Sequence, residues 1–75
     1  MIFFDENGAF TPKGLADARR SASLTQAELA VRIGRNPLTV SRWERGINPV
    51  PKTLYPLLPM VLDVSWPPER VEVNA

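Results

Sequence analysis

The chain contains no cysteine and no histidine. The first absence excludes disulfides and thiol chemistry, and the two together remove the usual ligands of a zinc site. No apolar run approaches the ~20 residues of a membrane-spanning helix. The N-terminus also lacks the basic start and long apolar stretch of a signal peptide, so a cytoplasmic protein without a membrane partner is expected. Only eight carboxylates are present, scattered along the sequence, and they suggest neither a nucleophile–base pair nor a metal cluster. An enzyme is therefore the weakest reading, and no cofactor or metal is expected. Seventy-five residues allow one domain with a modest core, which favours added stability from a partner subunit or ligand.

Charge is present but unevenly placed. The net charge is only +1. Residues 1–12 and 53–75 each carry −2, whereas residues 13–52 hold eight basic against three acidic side chains, leaving +5. A basic middle segment is the electrostatic footprint expected for phosphate, although a solvated basic face without a partner fits it as well.

The order of residues in that segment is more telling. Thr11-Pro12 reads as N-cap and first helical residue, and Leu15, Ala18 and Ala22 then share one face, predicting a helix over 12–22. Thr25 and Glu28 form a capping box for a second helix, with Leu29, Ala30 and Ile33 inward and Gly34 ending it. Asn36-Pro37 starts a third helix, which turns Val40 and Trp43 inward and stops at Gly46. Two short helices joined by a glycine-containing turn are the outline of a helix-turn-helix, whose second helix is presented to the DNA major groove.

The stretch LTQAELAVRIG followed by TVSRWERG resembles the phage repressor and Cro-like helix-turn-helix family, often called the Xre family. The resemblance is ungapped over Leu24 to Gly46 and looser from Gly14 to Val64. It implies an all-α, compact four- to five-helix bundle with a lambda-repressor-like helix-turn-helix. Short β stubs at both termini are compatible with it. By the same resemblance Pro37, Leu38, Ser41 and Arg42 face base edges. Arg42 is the best candidate for direct readout, because its fork matches guanine O6 and N7. Leu38 suits a thymine methyl or, alternatively, a partner subunit. Proline at 37 departs from many relatives and leaves only apolar reading there. Gln26 matches the family residue that touches the DNA backbone, although it is also a good first-turn residue. Arg35, Asn36, Arg45, Asn48 and Lys52 are better placed for phosphate, which positions without specifying. Arg19 and Glu44 match positions that commonly form a salt bridge between the first and third helices.

The flanks divide the chain into 1–10 as an N-terminal arm or short hairpin, 11–64 as the helix-turn-helix domain, and 65–75 as a C-terminal arm with a possible dimer contact. Asn7-Gly8 is a hairpin signal, and residues 70–73 alternate like a strand that could pair with the N-terminal stub. Pro49, Pro51, Pro56 and Pro59 argue against one straight helix over 51–62; a kink near Pro56, or a restart with Pro56 in the first turn, fits better. Tyr55, Met60, Val64 and Trp66 are candidates for a dimer interface or equally for the core. Two function classes result. One is a sequence-specific regulator on double-stranded DNA, a small autoregulatory repressor acting as a homodimer on a palindromic operator. The other is an interaction module, such as an antitoxin, that docks a protein partner through its apolar C-terminal third.

Overall fold

A computed structural model describes residues 3–66 of the chain. It is all-α: α1 (Pro12–Ser21), α2 (Gln26–Ile33), α3 (Pro37–Glu44), a single 3-10 turn (Lys52–Leu54) and α4 (Leu57–Leu62). Four helices are present among the described residues, the lower of the two expected numbers. The strand-like stretch 70–73, its pairing with the N-terminal stub, and most of the 65–75 arm lie outside the described residues.

The first three helices begin where the local chemistry predicts. The Thr11 hydroxyl accepts from the Gly14 amide at 2.9 Å. The Thr25 hydroxyl accepts from the Glu28 amide at 3.0 Å while the Glu28 carboxylate accepts from the Thr25 amide at 2.8 Å, completing the reciprocal box. Asn36 caps α3 by accepting from the Leu38 amide at 2.8 Å, and Pro37 takes the first helical position. α1 ends one residue earlier than predicted, with Ala22 as its cap.

All four helices end in the same way. The residue after the last turn enters the left-handed region, and two amides fold back onto the final carbonyls. In α1 the Ser23 and Leu24 amides reach Arg20 O and Arg19 O; in α4 those of Asp63 and Val64 reach Met60 O and Pro59 O. Gly34 and Gly46 serve α2 and α3, but Ser23 and Asp63 adopt φ of 61° and 59° with a side chain in place. An L-residue there is held at a cost of about 1–2 kcal/mol.

The proline-rich segment is broken, with Pro56 as the N-cap of α4 and not inside its first turn. Pro59 is the third residue of α4, where an amide would have no intrahelical partner, so its missing N–H costs nothing there. The broken segment still delivers Leu54, Leu58 and Leu62 to the core beside Leu15, Leu29, Ala30, Ile33, Val40 and Trp43.

The N-terminal segment is part of this globule. Asp5 to Ala9 close a three-residue loop, with the Gly8 amide donating to Asp5 O at 3.1 Å and the Asp5 amide to Ala9 O at 2.8 Å. Gly8, at φ 83°, takes the left-handed position, so the loop is a type I turn with a bulge and not a two-residue Asn-Gly turn. The Asp5 carboxylate accepts from the Asn7 and Ala9 amides. Among the described residues only one antiparallel bridge, Phe4 to Phe10, follows, so the expected β stub falls short of a strand there. What holds it is aromatic packing: the Phe4 and Phe10 rings lie 4.5 Å apart, and Phe10 is buried in the core. The backbone of Phe3 crosses α1 directly over Gly14, where a Cβ would collide with the Phe3 carbonyl.

Helix propensity alone favours alanine over glycine at position 14 by about 1 kcal/mol. The Phe3 contact reverses the sign, so Gly14→Ala is expected to destabilise the fold by about 1–3 kcal/mol in a urea titration, as overpacking does. Asp63→Gly is expected to stabilise it by about 0.5–1 kcal/mol in the same measurement, because the left-handed strain is relieved.

Candidate nucleic-acid interface

The third helix is fixed from behind. Val40 and Trp43 anchor it in the core. At its C-terminal end the Glu44 carboxylate meets the Arg19 guanidinium of α1 in a two-pronged contact, Nε to Oε2 at 2.6 Å and Nη2 to Oε1 at 3.0 Å. Both side chains are nearly buried, at 11% and 6% exposure. The remaining arm of Arg19 donates from Nη1 to the Leu24 carbonyl at 2.8 Å. Hydrogen bonding from Glu44 raises the Arg19 pKa above its ordinary value despite burial, so the guanidinium stays charged.

With its inner face fixed, α3 leaves Asn36, Pro37, Leu38, Arg42 and Arg45 exposed and Ser41 half-buried. Leu38 is a large apolar side chain at 50% exposure, beside the basic groups. Arg35 precedes the helix, and Asn48 and Lys52 follow it, all exposed. The basic residues divide in two. Lys13 and Arg20 share Asp17, and Arg19 is taken by Glu44. Arg32, Arg35, Arg42, Arg45 and Lys52 form no ion pair among the described residues. Unpaired positive charge thus remains on α2, α3 and the following loop, while every cation of α1 is engaged, Lys13 and Arg20 by one shared carboxylate and Arg19 by Glu44. Arg32 is the member that sequence reasoning missed. Its exposure in the last turn of α2 follows from the helical period, since Ile33 and Ala30 take the inner face.

The two helix N-termini differ in what they offer an anion. At α3, Pro37 has no N–H, the Leu38 amide is taken by the Asn36 side chain, and those of Thr39 and Val40 donate to Asn36 O. No first-turn backbone donor of α3 is left, so any contact there depends on side chains. At α2 the box engages Thr25 and Glu28, whereas the Gln26 and Ala27 amides make no hydrogen bond among the described residues. Free amides at the positive end of a helix dipole suit a phosphate. The Gln26 side chain is half-buried and donates from Nε2 to Glu44 Oε1 at 3.0 Å. It therefore joins the Arg19–Glu44 pair as a third member, a link that carries no local sequence signal.

The four side chains named for a dimer contact are placed differently from one another. Tyr55 and Val64 pack against the core, and Trp66 donates from its indole nitrogen to Gly8 O at 2.8 Å, tying the end of the bundle to the N-terminal turn. Met60 alone stands clear, at 73% exposure. Exposed Val31 and Ile47 were not anticipated. No group of metal-ligating side chains gathers among the described residues. No helix among them is long and apolar enough to cross a membrane.

A family model described as a helix-turn-helix domain matches residues 14–71, more than half of the chain. No curated protein and no solved structure matches it.

Glu44→Ala would strand a buried guanidinium, and a loss of about 3–5 kcal/mol is expected in thermal or denaturant melts. An unchanged melt would show that the pair is not structural. A second expectation concerns pH. Glu28 has its pKa lowered, first by the Thr25 backbone hydrogen bond and then by the Thr25 hydroxyl. A carboxylate with a depressed folded pKa stabilises above its unfolded pKa and loses that contribution as pH falls through the folded one. Wild type should accordingly lose stability relative to Glu28→Gln as the pH drops below about 4.5. Parallel melts of the two proteins from pH 6 to 3, on the order of the carboxylate range, give the comparison.

Proposed function

Because the chain belongs to the helix-turn-helix domain family, we propose that it is a sequence-specific DNA-binding transcriptional regulator. In this reading it is a small autoregulatory repressor of the phage repressor and Cro type. It inserts α3 into the major groove of a palindromic operator as a homodimer, with the two recognition helices about one DNA turn apart. The observation that carries the reading is the state of α3. Arg42 and Arg45 are exposed and form no ion pair among the described residues, on a helix locked from behind by Arg19 and Glu44.

Roles follow from chemistry. Arg42 reads guanine through its fork, and Leu38, with Pro37 beside it, offers apolar contact to a thymine methyl. Ser41 can donate to or accept from a base edge. Gln26, Arg35, Asn36, Arg45, Asn48 and Lys52 hold phosphates and set the register. Asn36 spends its side-chain oxygen on the cap, so its NH2 group is what it has left to offer. Arg32 joins this set as a further cation. Among the four dimer candidates only Met60 has an unburied apolar side chain to give a second copy. The alternative of an interaction module docking through the C-terminal third loses support for the same reason. Most of the apolar surface that suggested it faces the core.

The test is fluorescence-anisotropy binding to the DNA upstream of the protein's own coding sequence and to a scrambled duplex, over a salt series. A preference of ~10³-fold or more, falling steeply with salt, is expected of a specific regulator. Equal weak binding to both would reject sequence-specific recognition. Arg42→Ala should cost about 1–3 kcal/mol on the preferred duplex and little on the scrambled one. Lys52→Ala should weaken both alike and reduce the salt slope by about 1.

A further inference from the structure

The Gln26 amide can present either an oxygen or an NH2 group to an approaching anion, and only the NH2 group can bond to a phosphate. In solution the two orientations would interchange. Glu44 removes the choice. A carboxylate paired with arginine only accepts, so the end of the Gln26 amide that turns toward it must be the nitrogen. The carboxylate receives three N–H groups: two from Arg19, at 2.6 and 3.0 Å, and one from Gln26 Nε2 at 3.0 Å. Arg19 is held in turn by the Leu24 carbonyl, one residue before the α2 cap.

We propose that Glu44 is a positioning residue for Gln26, an inference that rests on the DNA-binding reading above. The first Nε2 hydrogen is fixed on Glu44, which leaves the second as a preoriented donor for a backbone phosphate. The Gln26 and Ala27 backbone amides, unengaged among the described residues, belong to the same first turn of α2. The donor at the start of α2 is thereby tied to the last residue of α3. The phosphate contact and the base-reading helix are then set by one carboxylate, and the register of the protein on DNA is determined by a group that touches no DNA. Preorganisation of this kind strengthens binding by removing an ordering cost.

The experiment is a double-mutant cycle with Gln26→Ala, Glu44→Gln and both together, read as affinity for one duplex and as the Gln26 side-chain NH2 signals in 15N–1H spectra. Gln26→Ala should weaken binding about tenfold, as expected for a hydrogen bond to a charged group. Glu44→Gln should weaken it at least as much, since it also loosens the hold on α3, and the double variant should bind no worse than Glu44→Gln alone. Losses that multiply would overturn the proposal. Wild-type spectra provide a second reading should Glu44→Gln fail to fold. One Gln26 NH2 proton should be displaced from the position of a solvent-exposed glutamine in the free protein, and the other should move when duplex is added. An NH2 pair that resonates like exposed glutamine in the free protein overturns the proposal whatever the DNA result. Binding of duplex with both protons unmoved leaves the DNA-binding reading intact and removes the Gln26 contact. Absence of binding to any duplex defeats that reading and the proposal with it.

Discussion

The Arg19–Glu44 pair is the constraint on which the working part of the molecule depends. Burial of Val40 and Trp43 turns one face of α3 inward, and because hydrophobic contact is non-directional the finer placement of the helix is left to other groups. A two-pronged guanidinium–carboxylate contact is directional. Its placement at the end of α3 fixes that helix about its own axis, and the third arm of Arg19 fixes the loop leading to α2. Such a pair adds little net stability over an apolar replacement, because two charges must be desolvated. Its contribution here is geometric: it ties the end of α3 to α1 and to the loop leading to α2.

The rest of the bundle is organised so that short helices can hold that geometry. None of the four exceeds ten residues, and isolated helices of that length are marginal in water. Side-chain caps start the first three, and all four finish with the same left-handed turn. The N-terminal turn adds a lid of phenylalanines over α1, and Trp66 closes on its back through Gly8. Apolar side chains of the N-terminal turn and of α4 are thus largely used within the core.

Charge follows the same division. Carboxylates pair with the cations of α1, whereas Arg32, Arg35, Arg42 and Arg45 form no ion pair among the described residues. The distribution of unpaired positive charge is therefore set as much by where Asp17 and Glu44 stand as by where the arginines do. The blocked amides of α3 and the open ones of α2 complete the separation, leaving backbone donors on one helix and exposed side chains on the other.

What the sequence determined alone was everything governed by near neighbours. The Thr25–Glu28 box, the Asn36-Pro37 start, the glycine stops and the inward stripe of Leu29, Ala30, Ile33, Val40 and Trp43 all depend on residues within a turn or two of one another. Local spacing is sufficient to fix such features. The Arg19–Glu44 pair was legible only through family resemblance, since its partners are 25 residues apart and neither has a local signal. Tertiary structure alone decided the rest. It made Gly14 a crossing point, packed Tyr55 and Val64 against the core, and bonded Trp66 to Gly8 while leaving Met60 out. It also bound Gln26 to Glu44 across two helices. Each of these is a meeting of surfaces distant in the chain, and such meetings depend on how helices pack, which no local pattern of residues encodes.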